Sequence, residues 1–306
     1  MSSPFQVVVL GSGAALPTSH RAPSSQYIVC NNRHLLIDCG EGTQTQMRKY
    51  GVHFQKISHI FISHLHGDHY FGLIGLLSTM NLLGRNQGIV IYGPAPLEAI
   101  LTAQFEAGMS KMSFNLKFIP LLSSEKELIL EDTHIKVFAF PLKHRIQTFG
   151  FLIEEKSSVL KLDIAAIKKA GIKQEHYRLL KQAKDVHLID GTTINYLDFT
   201  LPSLPPLKYA YCSDTAPFKE LSLHVSDATV LYHEATFTNE HKARAKQTYH
   251  STAEQAASAA LKLGVKKLYM GHFSSRYPTC DVHLSEALAI FPNTIIVEDG
   301  MKIIVK

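Results

Sequence analysis

Residues 64 to 69 read His-Leu-His-Gly-Asp-His, which puts three imidazoles and a carboxylate within one loop's reach. These are the ligand types that borderline divalent metals such as zinc prefer. With 17 histidines in the chain, a chance cluster is the alternative. A chance cluster belongs in a polar loop, whereas this one follows Ile60-Phe61-Ile62-Ser63, a β-branched and aromatic run that reads as a buried strand. Ligands leaving the end of a rigid strand are held in fixed geometry, as a metal site requires. Side chains alternate along extended backbone, so the adjacent pair Asp68 and His69 cannot both point as His64 and His66 do. Four ligands in one loop therefore favour two metals with separate ligand sets, and further ligands must come from elsewhere in the chain.

Three later positions follow strand-like runs in turn-prone contexts: His144 in Phe140-Pro-Leu-Lys-His-Arg, Asp214 in Tyr211-Cys-Ser-Asp-Thr, and His272 in Met270-Gly-His-Phe. Taken singly, each histidine reads equally as a surface or core residue, and Asp214 as a turn or helix cap.

The rest of the chain supplies an α/β frame for such a site. Strand-like runs occur at Gln6–Leu10, Gln26–Cys30, His34–Asp38, His59–Ser63 and Gly88–Tyr92, with helical patterns at Thr43–Tyr50, Gly72–Leu83 and Pro96–Ala107. Strand character returns at Tyr209–Cys212, Thr229–His233, Lys267–Met270, Ile295–Val297 and Lys302–Val305, and Ser251–Leu263 is an amphipathic helix. Thr252-Ala-Glu-Gln at its start resembles a capping box shifted by one residue. From about Glu154 to Pro206 the texture changes to short Lys-rich helical pieces, Ile164–Ala170 and Gln174–Ala183, ending in Pro-rich Thr200–Pro206. This stretch reads as an arm inserted into a single domain spanning 1–306. Gly11-Ser-Gly-Ala-Ala lacks the third glycine of a dinucleotide loop and runs into Pro17, so a nucleotide cofactor is discounted.

A hydrophobic content of 45% with 19% charged residues is that of a globular chain with ample core. The net charge of +5 fits either a lysine-rich surface or a polyanionic partner. No apolar stretch approaches the roughly 18 to 20 residues of a membrane span. Met1-Ser-Ser-Pro-Phe-Gln lacks the basic and apolar regions of an export signal, and Cys30, Cys39, Cys212 and Cys280 form no CxxC pair. Reduced thiols and a cytoplasmic location are the expectation.

The chain resembles the metallo-β-lactamase superfamily and, within it, the ribonuclease Z family of tRNA 3′-processing endonucleases. Ser63-His-Leu-His-Gly-Asp-His marks the superfamily. Pro141-Leu-Lys-His-Arg, Cys212-Ser-Asp-Thr and His250-Ser-Thr-Ala share in the resemblance, and Gly-Glu-Gly-Thr-Gln within Ile37–Gln44, His-Glu-Ala-Thr within His233–Phe237 and His-Phe-Ser-Ser-Arg-Tyr within Gly271–Tyr277 together narrow it to the family. The resemblance covers essentially the whole chain and implies an αββα sandwich with two zinc ions at one edge, manganese, iron or cobalt being alternatives. It implies His64, His66 and His144 on one ion, Asp68, His69 and His272 on the other, and Asp214 bridging them. Asp68 would also accept a proton from the attacking water, and His250 would protonate the departing ribose 3′-oxygen; a helix cap is the plain alternative for His250. Asp38 would support the ligands or merely turn a strand end. Glu234 would orient His250, His233 is as readily structural, and Arg276 would contact phosphate or form a salt bridge.

The implied reaction is hydrolysis of a tRNA precursor 3′ of the discriminator base, in a homodimer whose arms grip tRNA. The arm departs from the family pattern. Gly171-Ile-Lys-Gln-Glu-His-Tyr-Arg-Leu-Leu-Lys keeps Leu180-Lys181 but lacks the family's Gly-Pro element and second glycine. The cations Lys161, Lys168, Lys169, Lys173, Arg178, Lys181 and Lys184 remain to meet phosphates or simply to face solvent. Two other functions stay open on the residues alone. One is a dinuclear hydrolase of a small ester, thioester or cyclic phosphate, which needs no arm. The other is a metal-stabilised RNA-binding module, which would close its metal sites rather than leave them open.

Overall fold

Near-continuous apolar runs in this chain become strands buried on both faces, the pattern expected when helices cover a sheet whose other side meets a second sheet. The structure, a computed structural model, describes residues 4–156, 160–201 and 205–306. In the first sheet the strands lie in the order Lys302–Ile304, Gln6–Gly11, Ser25–Cys30, Arg33–Ile37, His59–Phe61, Ile89–Pro94 and Leu116–Leu121. The second runs Thr294–Ile296, Lys267–Gly271, Val230–Glu234, Lys208–Cys212, Phe149–Glu155, Ile135–Pro141 and Glu127–Glu131.

Alternation sorts each strand between two cores. Val7, Val9, Ile28, Leu35, Ile37 and Phe61 of the first sheet meet Val137, Phe151, Ile153, Tyr209, Tyr211 and Tyr232 of the second. Val8, Leu10, Leu36, Ile60 and Ile62 point the other way, onto Met47, Leu73, Leu76, Leu77, Leu97 and Leu101 from the helices. On the far side, Leu152, Ala210, Leu231, Leu268 and Met270 pack on Ala253, Ala256, Ala257 and Ala260 of the helix Ala253–Lys262. Four small side chains on one helical face let that helix sit close to the sheet. The layers are therefore helix, sheet, sheet, helix.

Most of the elements expected from sequence are present within a residue or two. Within the two large sheets, three strands were not anticipated: Leu116–Leu121, Glu127–Glu131 and Phe149–Glu155. The capping box is also regular rather than shifted. Thr252 is the N-cap, its hydroxyl accepts from the Gln255 amide, and the Gln255 side chain accepts from the Thr252 amide. Gln174–Ala183 divides into a 3-10 turn and the short helix Tyr177–Lys181. The reading of the extreme N-terminus falls in part on residues 1–3, and that of the Pro-rich connector on 202–204, which lie outside the described residues.

Between the paired strands Phe149–Glu155 and Lys208–Cys212, residues 160–201 form two small two-stranded sheets and the helices Ile164–Ala170 and Tyr177–Lys181. They have their own apolar cluster of Leu180, Val186 and Ile194, with Leu162, Ile172 and Phe199 packed against it. Asp163 caps the first helix through the amides of Ala165 and Ala166.

Candidate metal centre

Strands of both sheets end at one place, and the polar residues that follow them converge there. Asp38 follows Arg33–Ile37, His64 follows His59–Phe61, His144 follows Ile135–Pro141, Asp214 follows Lys208–Cys212, and His272 follows Lys267–Gly271. Asp38 and His272 have left-handed backbone conformations, with φ of 55° and 58°. Such conformations are costly for residues with a side chain and mark positions that the surrounding structure holds in place. Gly40 is needed for a steric reason, because a Cβ there would lie 2.4 Å from the carbonyl oxygen of Asp68.

The seven ligand candidates fall into two groups. His64, His66, His144 and Asp214 bring one donor atom each to a common point, as do Asp68, His69 and His272, the atoms within each group lying within 4.8 Å of one another. Asp214 faces both groups. Its Oδ1 lies 3.1 Å from Nε2 of His272 and 3.4 Å from Nε2 of His69, and its Oδ2 lies 3.5 Å from Nε2 of His64 and 3.7 Å from Nε2 of His144. Nitrogen and carboxylate donors in sets of three and four, with one carboxylate between them, fit divalent cations.

Hydrogen bonds behind the rings decide which nitrogen each imidazole turns to the centre. Nδ1 of His69 lies 2.8 Å from Oδ2 of Asp38, and Nδ1 of His144 lies 3.0 Å from the carbonyl oxygen of Tyr249. Both partners only accept, so each Nδ1 carries a proton and Nε2 is the ring atom turned to the centre. Ser63 donates to Oδ2 of Asp38 at 2.9 Å and therefore accepts from Nδ1 of His64 at 3.0 Å. His66 is reversed, its Nδ1 facing Nε2 of His64 at 3.0 Å and Nε2 of His144 at 3.3 Å. Such outer contacts fix ring orientation and raise ligand basicity.

Electrostatics prepare the same groups. Burial, followed by the neighbouring rings, pushes His66 down to about 4, and burial likewise pushes His144 down to about 4, so both are neutral near pH 7. Burial would raise the Asp68 carboxyl, but the neighbouring imidazoles of His69 and His272 hold it well below the usual range. The amide of Ala15 also donates to Oδ2 of Asp68 at 2.8 Å. His69 and His250 shift the other way, His69 because the carboxylates of Asp68, Asp214 and Asp38 outweigh its burial. Burial opposes protonation of His250, but the carboxylates of Glu234 and Asp214 outweigh that and push it up to about 9. Its Nδ1 is 2.8 Å from Oε1 of Glu234, and its Nε2 turns toward Oδ2 of Asp214 at 3.9 Å. The helix that follows is capped by Thr252, so capping is not what His250 does.

The remaining candidates separate. His233 is buried beside the site with Nδ1 2.7 Å from the carbonyl oxygen of Glu234, a structural position. Arg276 bonds Ser274 Oγ at 3.1 Å and stacks over Phe237 at 5.1 Å, leaving its guanidinium on the wall of the cavity. That cavity, about 560 Å³, opens over Asp68, Asp214, His250 and His272. Arg145 and Arg244 also line it, with Phe71 and Leu16, 60% and 61% exposed, at its mouth. Sequence reasoning singled out none of these four, nor Ser63, Tyr211 or the Tyr249 carbonyl. Their spacing carries no signal, and only the fold brings them to the site.

Among family models, the one described as "Anti-Pycsar protein Apyc1" matches residues 5–178, a stretch that holds His64 to His144 and stops before Asp214. Over nearly full length, the chain is 42% identical to the Ribonuclease Z of Porphyromonas gingivalis, across 98% of each chain. Among solved structures, human tRNase Z, short form, superposes with a TM-score of 0.73 at 29% identity, covering 99% of this chain and 100% of that one. The metallo-beta-lactamase fold protein YhfI from Bacillus subtilis superposes with a TM-score of 0.69 at 18% identity, covering 98% and 99%, which shows the shared fold.

Proposed function

From the premise that the chain belongs to the ribonuclease Z family, with residues 5–178 also matching the Apyc1 family model, we propose how its centre performs the family's reaction. The protein is a metal-dependent endoribonuclease that removes 3′ trailers from tRNA precursors and leaves a 3′-hydroxyl on the tRNA. The observation that carries the assignment of roles is Asp214, whose two oxygens face two separate donor sets.

In this reading His64, His66 and His144 would hold one zinc ion and Asp68, His69 and His272 a second, with Asp214, which faces both sets, available to each. Bound there, such ions lower the pKa of water from about 15.7 to about 7 and offset charge building on the phosphate. Asp68, held as a carboxylate, takes the proton from the attacking water. His250, held protonated by Glu234, donates a proton to the ribose 3′-oxygen as the P–O3′ bond breaks. Arg145, Arg244 and Arg276 line the route along which flanking phosphates approach, where planar guanidinium groups match phosphate oxygens.

The segment 154–206 is proposed as the tRNA-binding arm, and Lys161, Lys168, Lys169, Lys173, Lys181 and Lys184 are all exposed on it. The acting form is proposed to be a homodimer in the cytoplasm. No helix among the described residues is long and apolar enough to cross a membrane.

The test is a 3′-extended tRNA precursor with the cut mapped to the nucleotide, comparing wild type, Asp68→Ala and His144→Ala. Cleavage after the discriminator base, lost in both variants, is the expected result; full activity in both variants defeats the site assignment.

A further inference from the structure

One hydroxyl joins the two sides of this centre. Oγ1 of Thr236 lies 2.6 Å from Oε2 of Glu234 and 2.9 Å from Nδ1 of His272. A hydroxyl has one proton to give and a carboxylate can only accept. Thr236 therefore donates to Glu234, and its lone pair accepts the Nδ1 proton of His272. That leaves Nε2 of His272 unprotonated, and Nε2 is the atom facing Asp214 Oδ1 at 3.1 Å and Asp68 Oδ2 at 3.4 Å. The other oxygen of the same carboxylate, Oε1, takes the Nδ1 proton of His250 at 2.8 Å. The rest of Glu234 is occupied by backbone, with Thr215 N on Oε1 at 2.9 Å and Thr236 N on Oε2 at 3.0 Å. Glu234 and Thr236 are both buried, so water does not substitute freely for either.

The opposite side of the centre has the same wiring with different residues. There Asp38 takes the proton of His69 directly and that of His64 through the hydroxyl of Ser63. Each sheet thus supplies one buried carboxylate and one hydroxyl, and each pair fixes two imidazoles. On the Asp38 side both rings are metal-ligand candidates, whereas on the Glu234 side one is a ligand candidate and the other the proton donor.

We infer that Thr236 is a positioning residue that sets the ring tautomer of His272 through Glu234, so that one carboxylate governs both a metal ligand and the proton donor. This rests on the assignment of roles proposed above. Loss of the hydroxyl frees His272 to place its proton on Nε2, where it blocks a cation, and removes one of the donors that hold the Glu234 carboxylate against His250.

The test compares Thr236→Val, which keeps the shape and loses the hydroxyl, with Thr236→Ser, which keeps the hydroxyl. Zinc affinity is read by chelator competition, and turnover with bis(p-nitrophenyl) phosphate as a simple phosphodiester. In Thr236→Val the weaker zinc affinity falls about 10- to 100-fold and kcat falls with KM little changed, while Thr236→Ser stays within about threefold of wild type in both. Wild-type affinity and kcat in Thr236→Val overturn the inference, as does a Thr236→Ser protein as damaged as Thr236→Val. Where the valine protein does not fold, zinc-loaded wild type labelled with 15N-histidine decides the matter. A protected Nδ1 proton on His272 supports the inference, and a freely exchanging one overturns it. A wild type that hydrolyses the ester but leaves a tRNA precursor uncut fails the ribonuclease reading and leaves the Thr236 comparison intact.

Discussion

Oδ2 of Asp38 lies 2.8 Å from Nδ1 of His69, and the same carboxylate ties the two sheets together behind the metal centre. Its Oδ1 accepts from the amide of Ser63 at 2.7 Å, and its Oδ2 also accepts from Ser63 Oγ at 2.9 Å and from the hydroxyl of Tyr211 at 2.7 Å. Tyr211 belongs to the second sheet and the other partners follow strands of the first. In Asp38→Asn an amide hydrogen faces donors that need an acceptor. Zinc affinity measured by chelator competition is expected to fall about 10- to 100-fold. Urea unfolding of the metal-free protein is expected to show a loss of about 2 to 4 kcal/mol. Unchanged zinc binding together with an unchanged midpoint would falsify this role.

His250 and Glu234 make a pH prediction with a defined sign. The imidazole acts as an acid only when protonated, and Glu234 pushes it upward, to about 9 in the metal-free protein. Divalent charge at the neighbouring groups works in the opposite direction, so the alkaline limb of kcat in the loaded enzyme lies below that value. Glu234→Gln removes the largest stabilising charge, and the limb moves to lower pH. His250→Ala lowers kcat by about 10² to 10⁴ and abolishes the limb. A limb that stays in place in Glu234→Gln assigns the titration to another group.

Much of the centre was legible because its ligands sit where apolar runs stop. The end of a strand-like run marks His64, Asp214 and His272 as candidates without knowledge of the fold, and the helix Pro96–Ala107 announced itself by its proline at the first turn. The first sheet's buried strands read as strands because both of their faces are apolar. The strands Leu116–Leu121 and Glu127–Glu131 did not. They close the edges of the two sheets, are half exposed, and carry Pro120 in one case and flanking glutamates in the other. Nor could sequence give the partner of His144. The carbonyl of Tyr249 reaches that ring from a left-handed residue with φ of 58°, and a backbone oxygen is present whatever the residue type.

His283 gives an acid-stability prediction away from the metal ligands. It is fully buried, edge-on to the rings of Tyr277 and Phe273 at 4.6 and 5.1 Å, and burial pushes its imidazole down to about 4. The unfolded chain takes up this proton near pH 6.5, whereas the folded chain does so only near the lower value. The unfolded state therefore binds more protons between them, and stability is present above pH 6.5 and is lost as pH falls through the folded value. The difference amounts to about 3 kcal/mol by pH 4. Unfolding of wild type and His283→Gln, measured from pH 7 to 4, is expected to show a shallower decline in the variant. Parallel curves would refute the assignment.

The arm can be removed without cutting the sheet, because of how its flanking strands pair. Phe149–Glu155 and Lys208–Cys212 are adjacent and antiparallel, with Glu154 opposite Lys208. A two-residue Asn-Gly turn spans such a pair, so residues 155–207 can be replaced by a hairpin turn. The small core of Leu180, Val186 and Ile194 leaves with the segment. No candidate ligand lies within it, since His144 precedes it and Asp214 follows it. If the exposed lysines of this segment hold the tRNA body, cleavage of a precursor at moderate salt falls on the order of 10²-fold or more, and its dependence on salt becomes shallower. Hydrolysis of bis(p-nitrophenyl) phosphate, which touches only the centre, stays near the wild-type rate. Equal loss on both substrates would mean that the segment supports the fold, and equal retention that it does not hold tRNA.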